Sequence, residues 1–469
     1  MNTPYSMLIN GRLVAGKRLE PVINPSDESV VAQSPLADAA QVDAAVEGAA
    51  TAFKRWRKTT QPERRAVLLA ISKVIADNSD ELSTLLVKEQ GRPLPLAQFE
   101  MQLAMQFLAW YAEQSVDVEV QIDEPARRVE IHHTPLGVVA GIVPWNAPIH
   151  LAIAKIAPAL MTGNTIVIKP APTTPLTTLR LGELIADVVP AGVVNIVTGG
   201  SDVGARLTTH PQIAKVSFTG STATGKLIMA SAADTLKRIT LELGGNDAAI
   251  VLPDADPAAI APMLFGMSFF NSGQVCAVIK RLYVHADLYD AVCEQMAAMA
   301  NGAVLGDGLD ASSQFGPVQN RAQYEKVLGY IDGARRDGRI IAGGQALRRP
   351  GYFVPLTVVR DIADGTALVD EEPFGPVLPI IKYRDIDELI ERVNRSPYGL
   401  GASVWSRDVA AASRVASQID SGTVWVNQHC ALDPAVPFPT MKNSGIGCES
   451  GRSGLLEYTA LKVVNINKA

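Results

Sequence analysis

Short runs of β-branched and apolar residues alternate with stretches of helical apolar periodicity over residues 137–251. This alternation predicts a parallel sheet with crossover helices, whose ligands gather at the carboxyl ends of the strands. Strands are expected at 137–143, 165–169, 193–197, 215–219 and 247–251, with helices at 151–160, 176–189 and 222–232. Upstream, the apolar spacing predicts packing helices over 37–56 and 62–90, with Asp38 and Gln61-Pro62 as start signals. Residues 118–131 alternate apolar and polar positions around Asp123-Glu124-Pro125, the pattern of a hairpin projecting from the globule. A second αβ series is expected from Asp256 to about Val426, and 462–467 again reads as a strand. No internal repeat and no low-complexity linker interrupts the chain.

A chain of 469 residues has room for about three domains at roughly 150 residues each. Apolar residues make up 47% and charged residues 19%, which excludes a disordered scaffold and points to extensive buried surface and oligomer interfaces. With 42 basic against 48 acidic residues the net charge is −6, so no global positive field exists to hold nucleic acid or an anionic membrane. No apolar run approaches the ~20 residues of a membrane span, and the start of the chain lacks the basic-then-apolar order of an export signal. The four cysteines, Cys276, Cys293, Cys430 and Cys448, are too sparse for a disulfide framework, so a cytoplasmic location is expected. The six histidines form no HExxH pattern, and the adjacent His132 and His133 would face opposite sides of a strand; no metal site is expected.

Candidate chemistry collects at the expected strand ends. Phe218-Thr219-Gly220-Ser221 leads into a helix, and the stretch Gly220 to Lys226 has the form GxxxxGK. Leu227 follows where a nucleotide triphosphatase needs Ser or Thr for magnesium, so what survives is an anion-binding helix start capped by Ser221. An ordinary capped turn would look the same. Trp145-Asn146-Ala147-Pro148 follows another strand, with Asn146 suited as an N-cap and its amide as a donor to a developing oxyanion. Glu242 sits at an apolar strand end before Leu243-Gly244-Gly245, where a carboxylate needs a partner or a raised pKa. Gly273-Gln274-Val275-Cys276 places a thiol after small and polar residues, whereas Cys293 lies on a core helix. Glu371-Glu372 precedes a rigid turn; one of the two could accept a hydrogen bond from a ribose, or both could be solvated.

In this order the motifs Pro144-Trp145-Asn146, Lys169-Pro170-Ala171, Phe218-Thr219-Gly220-Ser221, Leu241-Glu242-Leu243-Gly244-Gly245, Gly273-Gln274-Val275-Cys276 and Glu372-Pro373-Phe374-Gly375-Pro376 resemble the aldehyde dehydrogenase superfamily over essentially the whole chain. The resemblance implies an α/β fold: a Rossmann-type cofactor domain (1–117 and 137–243), an α/β catalytic domain (244–436), and a bridging hairpin with oligomerisation segments (118–136 and 437–469). It implies oxidation of an aldehyde to the carboxylic acid with NAD or NADP, in a homodimer or homotetramer. Cys276 would be the nucleophile, Asn146 the oxyanion donor and Glu242 the base that hydrolyses the thioester. Lys155 and Glu449 would form a proton relay behind Glu242.

The cofactor would be held along Ile142, Val143, Pro144 and Trp145, at Lys169 and Pro172, at Gly200 and Gly204, at Phe218, Gly220, Ser221 and Thr224, and at Leu243, Glu372 and Phe374. Pro172 stands where many NAD-preferring relatives carry Glu, Val278 replaces a small residue two after the nucleophile, and Pro437-Phe438-Pro439-Thr440 replaces the usual PFGG. Ala147 and Ala154 occupy pocket positions often filled by aromatic rings, which implies a bulky or apolar aldehyde; His150, Leu151, Phe270, Val275, Ala277 and Phe438 complete the expected pocket. Two rival functions are a CoA-acylating semialdehyde dehydrogenase, disfavoured by the carboxylate at Glu242, and a non-catalytic relative, disfavoured by Cys276, Glu242 and Asn146 together.

Overall fold

The computed structural model describes residues 5–468. Two large sheets organise it. The first has eight strands in the spatial order Arg12–Val14, Met7–Ile9, Val194–Ile196, Thr165–Lys169, Val138–Ile142, Ile213–Thr219, Arg238–Glu242 and Gly445–Ile446. Its five central strands are parallel, and those at Val138–Ile142 and Thr165–Lys169 are buried throughout. Their continuous apolar sequences follow from being covered on both faces. From Val138–Ile142 the chain steps outward in one direction, then crosses back to Ile213–Thr219 on the other side. The crevice between those two strands is therefore the switch point at which open α/β sheets bind ligands.

The second sheet has seven strands, ordered Arg339–Ala342, Thr357–Arg360, Val377–Tyr383, Ile279–His285, Asp247–Val251, Gly401–Trp405 and Thr423–Val426, all parallel except the first. Each of its faces carries its own apolar core. Asp247–Val251 thus opens this sheet rather than closing the first. Periodicity identifies a strand but not its neighbour, and the Leu243-Gly244-Gly245 turn redirects the chain between sheets.

Other expectations also change in detail. The segment expected as one helix over 62–90 is two, Gln61–Asp77 and Ser79–Gln90, broken at Asn78, whose Nδ2 donates to the Val74 carbonyl and competes with the helical ladder. The helix Leu94–Ala112 has no expected counterpart: its apolar residues run nearly all round it, which hides the 3.6-residue period. Capping boxes at Asp38 with Gln41 and at Thr60 with Glu63 start the two upstream helices. Helix Leu176–Ile185 stops four residues early, before a turn at Val188 and Val189.

Glu119–Asp123 and Arg127–Pro135 form the expected hairpin. The last strand, Thr459–Asn467, pairs with Arg127–Pro135 from Thr459 opposite Pro135 to Asn467 opposite Arg127. Leu461 and Val463 remain 68% and 63% exposed on this three-stranded sheet, an unusual position for aliphatic side chains within a paired strand. Just upstream, Gly445–Ile446 pairs antiparallel with Leu241 and Glu242, so the carboxyl-terminal segment folds over the end of the strand that carries Glu242.

Candidate active site

Four chain segments meet at the switch point. The first runs from Val138–Ile142 through Val143, Pro144 and Trp145 into the helix Pro148–Met161. Ala147, not Asn146, is the N-cap, and it makes no side-chain cap. The helix start is served instead by Glu100, whose Oε1 accepts from the backbone N–H of Ile149 (2.8 Å) and His150 (3.1 Å). Glu100 is buried and paired with Arg92 at 2.6 Å, and Arg92 also donates to the Asn146 carbonyl. A carboxylate from a remote helix thereby frees the Asn146 side chain, which donates from Nδ2 to the Gln274 carbonyl at 3.1 Å. No local motif announces Arg92 and Glu100, because their function exists only once the Leu94–Ala112 helix has docked.

The second segment ends in Thr219, Gly220 and Ser221 before the helix Thr222–Ala232. Ser221 caps that helix by accepting from the Thr224 N–H at 3.2 Å, leaving earlier amides directed outward. The third ends at Glu242, which is 4% exposed, with no partner for Oε1. Burial raises its pKa well above the ordinary carboxylate range; neighbouring Glu449 adds to the effect and the Lys155 ammonium opposes it. Lys155, wholly buried, donates to Glu449 at 2.6 Å and to Thr219 Oγ1 at 2.7 Å.

The fourth carries Cys276. Asn271, Ser272 and Gly273 are consecutive left-handed residues, an arrangement rare outside functional sites. Gly273 is required there, because a Cβ would overlap the Gly375 carbonyl. Gln274 holds the loop by donating to the carbonyls of Asn271 (3.0 Å) and Pro317 (3.3 Å) while its Oε1 accepts from the Gln319 N–H (2.8 Å). Lys280 donates to the Cys276 carbonyl and lies 3.6 Å from Glu372. Burial pushes the Cys276 thiol pKa up, and the Lys280 charge pulls it down.

Cys276 stands between two spaces. On one side is an open cavity with mainly apolar walls; on the other is a cleft floored by Gly220, Ser221, Leu243 and Gly244. Asn146, Thr219 and Cys276 line both. The fold that carries this thiol, cleft and buried carboxylate is one that solved proteins share. The chain superposes on the NAD+ complex of aldehyde dehydrogenase from Bacillus cereus with a TM-score of 0.97 at 36% identity, covering 99% of this chain and 97% of that one. It is 39% identical to phenylacetaldehyde dehydrogenase of Pseudomonas fluorescens, over 98% of this chain and 96% of that protein, and 38% identical to the mitochondrial aldehyde dehydrogenase of Leishmania tarentolae, over 98% and 94%. The family model for aldehyde dehydrogenases matches residues 14–464.

The chain belongs to the aldehyde dehydrogenase family.

It is therefore an enzyme that oxidises an aldehyde to the carboxylic acid with a nicotinamide dinucleotide. This aldehyde dehydrogenase has a cleft whose donor set fits that cofactor. Trp145 and Phe374 meet edge to face at 5.3 Å across its mouth. The Ser221 helix start suits a pyrophosphate, and Gly244 has no Cβ where one would overlap the Glu372 carboxylate. Glu372 accepts from the Gly245 N–H at 3.0 Å, so the loop reading of Glu371-Glu372 gives way to a fixed carboxylate on the cleft wall. Lys169 ends its strand 95% buried, with the Pro170 carbonyl 3.3 Å from Nζ, and burial lowers its pKa to about 8. Its stem passes Gly204, and Gly200 is the N-cap of the helix Ser201–Thr209.

Of the remaining expected cofactor positions, Pro144, Trp145, Gly220, Ser221, Leu243, Glu372 and Phe374 line the cleft. Ile142, Val143 and Phe218 lie beneath it at buried strand ends, Thr224 is in the first turn of its helix, and Pro172 is exposed in the turn after Lys169. Two residues on the helix Arg321–Asp337 were not expected: Gln323 donates to the carbonyls of Pro373 (2.8 Å) and Phe374 (3.0 Å), and Lys326 to that of Glu372 (3.1 Å). Nothing in their local sequence marks them, since both serve a loop some fifty positions away.

All eight expected pocket residues line the apolar cavity. Phe99, Leu103, Phe107, Met267 and Leu432 join them, the first three from the unexpected helix Leu94–Ala112. Phe99 and Phe107 supply aromatic surface to the cavity that the small Ala147 and Ala154 also line. Among the described residues no helix is long and apolar enough to cross a membrane, and no group of three or more His, Cys, Asp or Glu could hold a metal ion.

Proposed function

We propose that Cys276, Asn146 and Glu242 carry the oxidation and that the favoured substrate is a bulky, apolar aldehyde. The supporting observation is that Cys276 lies, with Asn146 and Thr219, on the wall that the apolar cavity and the cofactor cleft share. The Cys276 thiolate adds to the carbonyl carbon, and the oxyanion of the resulting thiohemiacetal is met by the Asn146 amide and the Cys276 backbone N–H. A nicotinamide dinucleotide bound in the cleft supplies the two-electron hydride acceptor that leaves a thioester on Cys276. Glu242 takes a proton from water, the hydroxide adds to the thioester carbon, the C–S bond breaks and the acid departs. Its unpartnered Oε1 is free to accept that proton, and its raised pKa makes it a stronger base than an exposed carboxylate. Lys155 and Glu449, joined at 2.6 Å behind it, offer the proton a route outward.

Phe99, Phe107 and Phe270 favour aromatic substrates by edge-to-face contact. The relative named phenylacetaldehyde dehydrogenase, alike over 98% of this chain, points the same way. In a fluorescence assay of reduced nicotinamide, phenylacetaldehyde is expected to exceed acetaldehyde in kcat/KM by at least tenfold. Equal values would remove the bulky-substrate reading and leave the mechanism standing.

The separate large sheets support a division into 1–117 with 137–243, 244–436, and 118–136 with 437–469, with Gly445–Ile446 of the last segment adding an edge strand to the first sheet. Exposed Leu461 and Val463 support the last as a bridge between subunits of a homodimer or homotetramer. A cytoplasmic location accords with the free thiols Cys276, Cys293, Cys430 and Cys448.

Pro172 supports use of both NAD and NADP. It lies exposed just beyond Lys169 and offers neither charge nor side-chain hydrogen bond to an adenosine ribose. Pro172→Glu is expected to shift the ratio of kcat/KM toward NAD by about tenfold, on the order of 1.4 kcal/mol, by repelling a 2′-phosphate and accepting from a free 2′-hydroxyl. An unchanged ratio would place the ribose elsewhere.

A further inference from the structure

The nucleophile stands in surroundings that oppose its ionisation. Cys276 is followed by a turn into the strand Ile279–His285, so no helix start lies at the thiol to favour its anion. Burial is the largest influence on the thiol and disfavours the thiolate; Lys280 acts the other way, while Cys430, Glu372 and Glu242 side with burial.

Lys280 is an unusual residue for the start of a core strand. It is 3% exposed, donates from Nζ to the Cys276 carbonyl and lies 3.6 Å from Glu372 Oε1. A lysine is almost never so buried unless paired, and this one is paired with the catalytic loop on one side and a wall of the cofactor cleft on the other. The neighbouring charges have partners of their own. Arg92 is bound to Glu100 and Lys155 to Glu449, each at 2.6 Å. Lys326 donates to the Glu372 carbonyl, and Asp247 accepts from the Gly401 N–H at 3.1 Å with His429 Nε2 at 3.5 Å.

Covalent geometry bounds how far the Lys280 charge is from the sulfur. The Cys276 carbonyl oxygen and Sγ belong to one residue, so an ammonium bonded to that oxygen lies within roughly 8 Å of Sγ. At that range, with the screening of a protein interior, a unit charge moves a neighbour's ionisation midpoint by about one pH unit or more.

We propose that Lys280 is the positioning residue that activates the nucleophile: its ammonium, held between the Cys276 carbonyl and the Glu372 carboxylate, supplies the positive charge that lets the buried thiol ionise. This rests on the assignment of Cys276 as the nucleophile. The thiol proton leaves to water in the open cavity, and Lys280 accepts none; its fixed charge balances that of the thiolate left behind.

The test is the pH dependence of Cys276 alkylation by iodoacetamide, read by peptide mass so that Cys430 is not counted, in the enzyme without cofactor. In Lys280→Met the midpoint is expected to rise by about one pH unit, and Lys280→Arg, which keeps the charge, should fall closer to wild type. Glu372→Gln removes the opposing charge and should lower the midpoint. A role confined to holding the loop would not give the two losses opposite signs, because both break the same ion pair. A rise of about half a unit or more in Lys280→Met supports the proposal. A smaller rise, a fall, an equal rise in Lys280→Arg, or a rise in Glu372→Gln would overturn it. If Lys280→Met does not fold, a lowered midpoint in Glu372→Gln supports it and an unchanged one overturns it. Wild-type oxidation that persists after complete alkylation of Cys276 would instead overturn the assignment of the nucleophile, and the proposal with it.

Discussion

Cys276→Ala is expected to abolish aldehyde oxidation, lowering kcat by at least four orders of magnitude, about 5 kcal/mol or more of transition-state stabilisation, while leaving cofactor affinity within a few fold. The two outcomes separate because Cys276 touches the cleft only at its junction with the cavity, whereas Trp145, Ser221, Glu372 and Phe374 form the cleft's own walls. Cys276→Ser should be nearly as impaired, since an alkoxide is far harder to form near neutral pH than a thiolate. Cys430 also lines the cavity and supplies the control: Cys430→Ala should retain oxidation, because that thiol lines the cavity but not the cofactor cleft. Turnover of Cys276→Ala, measured as reduced nicotinamide, would end the covalent mechanism; loss of cofactor binding in the same variant would show that the cysteine loop organises the cleft as well.

How much of this site could be read from the sequence depends on how local its causes are. Strands buried on both faces advertise themselves as unbroken apolar runs, and Thr165–Lys169 and Asp247–Val251 lie where such runs put them. Ser221 and its helix follow from four consecutive residues. The position of Asn146 does not. Its neighbours suggest a helix cap, but Glu100 performs that service from a separate helix, and only the tertiary arrangement releases the amide toward Gln274. Cys276 likewise sits in a recognisable GQVC string, while the left-handed backbone that presents it depends on Gly375 and Pro317 from distant loops. Glu372 illustrates the reverse: its Glu-Pro context resembles any solvated turn until Gly245 and Lys280 are found against it. Local chemistry names the reacting groups, and long-range contacts orient them.

Glu242→Gln is expected to dissociate the two halves of the reaction. The proposed task of Glu242 begins after the thioester has formed, so the variant should still produce a first-turnover burst of reduced nicotinamide, close to one equivalent per active site. Steady-state turnover should then fall by a factor on the order of 10² to 10⁴, the usual contribution of a general base, with the acyl group accumulating on Cys276 and detectable as a mass increase. The pH dependence supplies a second readout. Water activation requires the carboxylate form, and burial together with Glu449 holds the Glu242 pKa above the ordinary range. Steady-state kcat in the wild type should therefore rise with pH through a midpoint well above that of an exposed glutamate, and this limb should vanish in Glu242→Gln, which has no carboxylate to titrate. Lys155 opposes the upward shift, so Lys155→Met should move the wild-type midpoint higher still. If burst and steady state disappear together in Glu242→Gln, the carboxylate acts before hydride transfer, as the base that generates the Cys276 thiolate, and the division of labour between the two residues would have to be redrawn.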